Sequence, residues 1–435
     1  MLADSDTRWK WGALTARRLT AAAEPAAGGR AVEISGLLLR GRATPTPRQL
    51  AEVGDVGIDP SRVREVTAVE FLHAVRDEGY DLVVLALVGG GVQAMLHGLA
   101  ALGLPRRPVV VTGYVGVVYE KLADGLLLRH GADVVLANSR HDAERFRAVY
   151  EGVGADAGAV TEAALPFLGG APHRPEEGRD TVVFAAQPSV PASRAERTYL
   201  LRRLVEHARL HPHREVVLKL RSKPGEHTTH VEELPYQRLA ERLPGGLPPN
   251  FRLAYGHMGE VLDRTDLLVT VSSTAALESL HRSIPTAILT DLGVRETLGN
   301  HHFVGSGLLT SWDRLDGGLA PVPDPGWLAG QGVAADGTYA TAYDRARDRV
   351  TELLGSALPP LAPFYDPATA PGYLPGILAR HHLGPDGRPL PGAPAAADPG
   401  RIRGAVRETV RNAARGAYRH GVQRVAPVIR RMGEL

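Results

Sequence analysis

Short apolar runs alternate along this chain with longer stretches of mixed polar and apolar character. Residues 82–88, Leu-Val-Val-Leu-Ala-Leu-Val, are unbroken, as a strand buried on both faces is. The pattern predicts strands over 31–39, 81–87, 108–112 and 134–138. It predicts helices near 11–22, 62–78, 92–102, 119–130 and 142–150. Residues 169–180 are rich in Gly, Pro and charge and read as a linker. A second series follows, with strands over 181–185, 215–220, 251–254, 266–271 and 286–289. Helices near 193–210, 236–242, 259–264 and 275–282 fall between them. Residues 318–335 read as a loop, 339–354 as a helix and 384–400 as low-complexity Gly/Pro/Ala. There is no internal repeat. This βα rhythm belongs to parallel sheets covered by helices on both faces. The expected fold class is α/β, with two Rossmann-like domains facing across a cleft and ligands at the carboxyl ends of strands. The expected domains are 1–170 and 181–370, then a Gly/Pro-rich linker over 371–400 and a basic helical tail over 401–435.

Composition narrows the function classes. At 435 residues the chain is long enough for two domains, and its net charge of +2 gives no global field for nucleic acid. There is no Cys, which excludes disulfides, thiolate metal sites and Cys catalysis. The run 82–88 is far below membrane-spanning length. The opening Met-Leu-Ala-Asp-Ser-Asp has no basic region followed by an apolar core, so a cytoplasmic location is expected.

The most informative stretch is 264–289. An apolar strand runs into Ser272-Ser273-Thr274, which opens a short helix carrying Glu278. Backbone N–H groups at a helix start, with small hydroxyls beside them, suit an anion. Glu278 lies one turn past Thr274 on the same face, within reach of a sugar hydroxyl. Phosphate at the turn and ribose on the acid describe a nucleotide site. An ordinary capped helix after a strand uses the same residues. A second motif covers 215–230, where an apolar strand leads into Lys219, Arg221 and Lys223 before Pro224-Gly225. Alternate residues of an extended segment share a face, so the three cations would line up and suit a diphosphate or carboxylate. A solvated edge is the alternative.

With the Tyr255–Arg264 stretch leading into it, the 264–289 segment resembles the donor half of two-domain glycosyltransferases of the GT-B architecture. It is most similar to the bacterial group of polysialyltransferases, capsule transferases and polyol-phosphate transferases. In that group a Ser-Ser or Ser-Thr motif holds the nucleotide phosphate and the acid a turn later holds ribose. The resemblance implies these roles for Ser272, Ser273, Thr274 and Glu278, a donor role for 181–370 and an acceptor role for 1–170. Those transferases carry a His-Pro pair after the equivalent strand. Here that slot reads Lys223-Pro224, and Lys223, His227 or His230 could substitute for the imidazole. Up to about residue 370 the chain also resembles an uncharacterised bacterial family described as glycosyltransferases. That likeness rests on Ala3-Asp4-Ser5-Asp6, Lys10-Trp11, Gln187-Pro188, 219–226 and 272–278.

In the amino-terminal half, Gly89-Gly90-Gly91 and Thr112-Gly113-Tyr114 are glycine loops between strand and helix. Gly90, Gly113 and Tyr114 are the acceptor-side candidates, since glycine lets a ligand approach backbone closely. A transferase needs a base within hydrogen-bond reach of the attacking hydroxyl. Glu120 is favoured, with Asp6 and Asp124 behind it. His301 and His302 are adjacent and point apart, so one metal does not easily take both. A loop closing over the donor is the better reading there, and metal-independent catalysis is expected. In the tail, Arg403, Arg407, Arg411, Arg415 and Arg419 recur every four residues, a repulsive spacing that an anionic membrane surface would relieve. The expected activity is inverting transfer of a sugar from a nucleotide donor to a cell-surface glycan or lipid-linked acceptor. The resemblance of Ser272-Ser273-Thr274 to the motif of the sialyl and related ulosonic-acid transferases implies a CMP-activated acidic sugar; no cofactor and no nucleic-acid partner are expected. A polyol-phosphate transferase using a CDP-alcohol, a nucleotide-sugar epimerase and a non-catalytic glycan- or nucleotide-binding protein are the alternatives.

Overall fold

A computed structural model of the chain describes residues 1–21, 32–41, 43–58, 63–116, 121–221, 223, 234–333 and 338–393. They form two compact units. One is Met1–Phe167 with the described part of Ala329–Ala397, and the other is Leu168–Leu328.

The first unit holds a seven-stranded sheet, all of whose pairings are parallel. Its strands are β1 (Leu2–Ala3), β2 (Gly36–Leu39), β3 (Val63–Val66), β4 (Leu82–Ala86), β5 (Val109–Gly113), β6 (Val134–Ala137) and β7 (Val160–Glu162). The spatial order is β3-β2-β1-β4-β5-β6-β7, so the direction of winding reverses between β1 and β4. Alternate strand residues serve two cores. Leu2, Leu37 and Leu85 pack with Phe71, Leu72 and Met95. Ala3, Val84, Val111 and Leu136 pack with Trp9, Trp11 and Tyr343 on the other face. Burial on both faces is why these strands read as continuous apolar runs.

The second unit holds a six-stranded parallel sheet in the order β10-β9-β8-β11-β12-β13. Its strands are β8 (Thr181–Ala185), β9 (Glu215–Lys219), β10 (Phe251–Ala254), β11 (Leu267–Thr270), β12 (Thr286–Leu289) and β13 (Leu309–Thr310). Winding reverses between β8 and β11. The helix Arg194–Leu210 covers one face, its Leu200, Leu201 and Leu204 packing with Phe184 and Leu218. Ala275, Leu262 and Ile284 cover the other, with Val183, Val217 and Leu268.

The α/β class with two parallel Rossmann-like sheets is as expected, but several local readings are corrected. Val63–Val66 is a strand where a helix was expected from residue 62. The helix starts at Ala68 because Thr67 and Glu70 form a reciprocal capping box. The edge strands β7 and β13 are three and two residues long, too short to leave an apolar run. Residues 329–370 were expected in the second domain and pack with the first. There the helix Asp344–Leu354 buries Ala346 and Val350 in the cluster of Trp11 and Val111. Tyr343 donates its phenol proton to the Ala164 carbonyl at 2.8 Å. Residues 371–393, expected as linker, carry the helix Leu374–Ala379. Leu374, Leu378 and Leu383 lie in the first unit's core, so Gly and Pro here punctuate packed structure. The expected loop 318–335 contains the helix Pro325–Gly330. The basic tail 401–435 lies outside the described residues.

Candidate functional site

Open α/β sheets bind ligands where the strand order reverses, at the carboxyl ends of the strands. In the second sheet that point lies between β8 and β11, and the Ser272–Thr274 turn sits on it. Ser272 is buried, and its hydroxyl donates to the Leu298 carbonyl at 2.5 Å. Its N–H donates to Gln187 Oε1 at 3.0 Å, and Gln187 Nε2 donates to Ser272 Oγ at 3.2 Å. Ser272 is therefore committed to holding the turn. Ser273 and Thr274 are half-buried and reach solvent. The first-turn N–H groups expected to meet an anion are engaged within the turn. Ala275 donates to Ser273 Oγ, Ala276 to the Ser273 carbonyl and Leu277 to the Thr274 carbonyl. Glu278 follows one turn later and is 8% exposed.

The cation row is broken by the end of the strand. β9 stops at Lys219, which is buried and donates through Nζ to the Leu220 carbonyl at 2.8 Å. Val217 belongs to the core cluster of Ala275, whereas Leu218 and Leu220 belong to the opposite one. By alternation Lys219 shares the face that carries the helix Ala275–His281 and Glu278. Arg221 sits in a bend and Lys223 is exposed, 6.0 Å above the Tyr255 ring. Only Lys219 of the three keeps the expected strand position. His227 and His230 lie outside the described residues.

The segment holding His301 and His302 is built against this corner. Asn300, fully buried, donates to the carbonyls of Leu289 and Gly293 and accepts from the Arg295 N–H. That fixes the turn whose Leu298 carbonyl Ser272 holds. His302 is buried edge-on to Phe303 and Trp327 and belongs to packing.

In the first sheet the reversal lies between β1 and β4. Asp4 follows β1, and its Oδ2 accepts the Val88 N–H at 2.9 Å while Oδ1 pairs with Arg8 at 2.9 Å. Asp6 opens the helix Asp6–Thr20, its Oδ1 accepting the Thr7 N–H at 2.8 Å. Asp124 lies in the first turn of the helix Leu122–Leu127 and accepts from the phenols of Tyr365 and Tyr373. Glu120 lies outside the described residues. Gly113 serves packing, because a Cβ there would meet the Trp11 ring at 2.8 Å and the Leu136 carbonyl at 2.9 Å. At Gly90 a Cβ would find only Ile377, at an ordinary 3.6 Å. Tyr114 lies under the Arg129 guanidinium at 3.9 Å, and burial raises its phenol pKa. Arg129, with no motif to announce it, binds the carbonyls of Gly113, Gly125 and Leu87. Gln187 and Arg129 organise the two edges; only Gln187 carried a signal, through its place in the family resemblance.

Among the described residues one cluster has metal-ligand composition: His207, His211 and Asp316. His207 Nδ1 lies 2.5 Å from Asp316, and its Nε2 lies 3.1 Å from an Arg214 guanidinium nitrogen. Arg214 already places a cation on that nitrogen. The cluster sits at the end of the helix Arg194–Leu210, toward the amino edge of the sheet and away from the Ser272 turn.

Residues 1–353 match the family model described as "Putative glycosyltransferase (DUF6716)". The chain belongs to this family. Membership makes it a glycosyltransferase, and its two-sheet α/β fold is of the GT-B type. No curated protein matches it by sequence. Among solved structures it is similar to S. aureus MnaA in complex with UDP, at 12% identity and TM-score 0.54, over 81% of this chain and 96% of that one. It is also similar to the UDP-GlcNAc 2-epimerase of Neisseria meningitidis bound to UDP-GlcNAc, at 10% identity and TM-score 0.53, over 82% and 99%. The glycotransferase of kitacinnamycin aligns at 16% identity and TM-score 0.42, over 81% and 94%. At these identities the likeness is one of fold. Among the described residues no helix is long and apolar enough to cross a membrane.

Proposed function

We propose that this family member transfers a sugar from a nucleotide donor to a cell-surface glycan or lipid-linked acceptor, with the donor held at the carboxyl edge of the second sheet. One observation carries the reading. At the reversal point, two half-buried hydroxyls, Ser273 and Thr274, stand one turn before a buried carboxylate, Glu278. The hydroxyls take phosphate oxygens, Glu278 takes the ribose, and Lys219 adds positive charge on the same sheet face. A carboxylate of the first unit, from among Glu120, Asp6 and Asp124, removes the proton of the acceptor hydroxyl. That oxygen attacks the anomeric carbon as the bond to the nucleotide phosphate breaks, inverting the centre. Lys219 and the hydroxyls stabilise the charge gathering on the departing phosphate. This scheme asks nothing of a metal or cofactor.

The motif favours a CMP-activated acidic sugar. Two fold relatives hold UDP or UDP-GlcNAc, which makes uridine the competing nucleotide. Thermal-shift titration with CMP, CDP, UDP and GDP separates them, because a ligand that binds only the folded chain raises its melting temperature. The reading fails if none stabilises the protein, or if Ser273→Ala with Thr274→Val leaves the shift unchanged. The epimerases among the fold relatives favour a second reading, conversion of the nucleotide sugar itself. Consumption of donor with no acceptor present would support it. Release of CMP from a CDP-alcohol would instead mark a polyol-phosphate transferase. The basic segment 401–435 is assigned to the inner membrane surface in this scheme, bringing a cytoplasmic enzyme to a lipid-linked acceptor.

A further inference from the structure

Where the helix Leu122–Leu127 starts, just past the carboxyl end of β5, the first unit carries an open pocket of about 630 Å³. Lys121, Asp124, Tyr365 and Tyr373 supply its polar and aromatic lining. We propose that this pocket is a saccharide subsite, in which Asp124 accepts sugar hydroxyls and the Tyr373 ring receives the sugar's apolar face. Its role as the acceptor subsite rests on the transferase reading above; its chemistry as a saccharide site does not.

The carboxylate is held in advance. Tyr365 donates to Asp124 Oδ1 at 3.0 Å, and Tyr373 donates to Oδ2 at 2.9 Å. Burial first, and then the bond to Asp124, pushes the Tyr365 phenol up to about 12, so it keeps its proton and donates at neutral pH. An ionised carboxylate offers about four acceptor positions, and two phenols leave room for hydroxyls from the open side. A side chain already fixed loses little rotamer freedom when a ligand binds.

The rings make a corner. Tyr365 and Tyr373 lie 5.4 Å apart at 78°, edge against face, and Tyr373 remains 42% exposed. A large rigid ring beside a fixed carboxylate presents an apolar body and a hydrogen-bonding tip together, which a pyranose matches with its C–H face and its hydroxyls. Lys121 and Asp124 bring one positive and one negative charge to the lining, which gives the pocket no net charge to select a polyanion. Lys121 sits at φ 51°, left-handed backbone that costs a non-glycine residue energy and that clusters at ligand sites.

The aromatic wall is anchored. The Tyr365 carbonyl lies 3.1 Å from Gln93 Nε2, which donates to it, and 2.9 Å from His97 Nε2. Tyr373 directly precedes the helix whose Leu374 and Leu378 are buried. Both tyrosines lie beyond residue 353, where the family match ends. The part of the pocket that would choose among sugars is therefore supplied by sequence outside the shared family region.

The full chain, applied to a microarray of bacterial surface oligosaccharides, tests this alongside the nucleotide thermal shift. The wild type is expected to bind a subset of the oligosaccharides. Tyr373→Ala, at a position 42% exposed, should lower that signal about tenfold, with its unliganded melting temperature measured beside the wild type's as the check on folding. Tyr365→Phe keeps the ring and removes one grip on Asp124, so its loss should be smaller. The nucleotide-induced shift should stay at the wild-type value in both. The proposal is overturned if the wild type binds no oligosaccharide while a nucleotide still stabilises it, or if Tyr373→Ala binds like the wild type. If no nucleotide stabilises the chain but oligosaccharide binding still depends on Tyr373, the pocket stands and the transferase reading falls.

Discussion

Gln187 and Ser272 grip each other across the reversal point of the second sheet, one residue past β8 and the other past β11. Asp4 and Val88 do the same across the reversal point of the first. In each sheet a side chain following the central strand holds the backbone of the neighbouring turn, which fixes the carboxyl edge of that sheet at its reversal point. Gln187 is itself fixed by buried Arg197, which binds the carbonyls of Gln187, Pro188 and Pro191.

Replacing Gln187 should therefore loosen the donor corner before it unfolds the domain. Gln187→Ala removes the acceptor of the Ser272 N–H and a donor to its hydroxyl. The expected cost is about 1–2 kcal/mol in urea denaturation. Nucleotide binding should weaken in step. A variant of wild-type stability and wild-type nucleotide shift would show that the pair does not set the corner.

Glu278→Gln is the sharper probe of the ribose assignment. Glu278 is buried, so an alanine would add a cavity cost to any functional one. The amide keeps the volume and removes the charge. Donor KM should rise about tenfold or more with kcat changed far less, the mark of lost ground-state binding. An unmoved donor KM removes Glu278 from the nucleotide.

The central strands were legible because burial on both faces writes an unbroken apolar run, as in Leu82–Ala86. The Ser272–Glu278 segment could be placed at a strand's carboxyl end because an apolar run leads into it, but that run does not show that the Ser272 hydroxyl is spent on the Leu298 carbonyl. What escaped reading was long-range. Nothing near Ser272 says that Gln187, 85 positions away, claims its hydroxyl. The cations at 219, 221 and 223 alternate as a strand would have them, yet pairing with β8 and β10 ends at Lys219. Gly113 reads as a ligand loop because sequence does not show the Trp11 ring filling the space its side chain would take. Tyr365 falls in the expected second domain and Tyr373 in the expected linker, and neither reads as a partner of Asp124 until the fold places it there.

Arg129 should prove costly to replace although it belongs to no motif. Its guanidinium bonds three backbone carbonyls, at 3.0, 2.7 and 3.3 Å, and lies over Tyr114. Arg129→Met leaves those carbonyls short of donors and should lose about 3 kcal/mol or more. Arg129→Lys keeps the charge but lacks the planar fork, so it should recover only part of that. Full recovery by lysine would mean that charge, not geometry, is what the site requires.

A chain ended after residue 370 tests the corrected role of the segment beyond it. Leu374, Leu378 and Leu383 are each at most 1% exposed. Losing three buried leucines removes roughly 6 kcal/mol of apolar burial, enough to unfold or severely destabilise the first unit. A chain ended after residue 393 keeps all three leucines and should melt well above the one ended after residue 370. Equal melting of the two truncations would restore the linker reading.

Stability should fall on mild acidification, and His207 should be a measurable part of the reason. Burial pulls the His207 pKa below the usual 6.5; Asp316 opposes this, and Arg214 and His211 add to it. His97 and His130 are lowered in the same direction, also chiefly by burial. Below 6.5 the unfolded chain takes up protons that these folded imidazoles refuse. The unfolded state then binds more protons, and stability rises with pH across that range. The stabilisation is full above 6.5 and is lost as pH falls from there through the folded-state values. Urea midpoints at pH 7.5 and 5.5 should therefore separate, with the acid value lower. His207→Gln should be less stable than the wild type at pH 7.5, for loss of the Asp316 bond, yet show a smaller drop between the two pH values. An unchanged drop would mean that His207 is not among the groups that resist protonation.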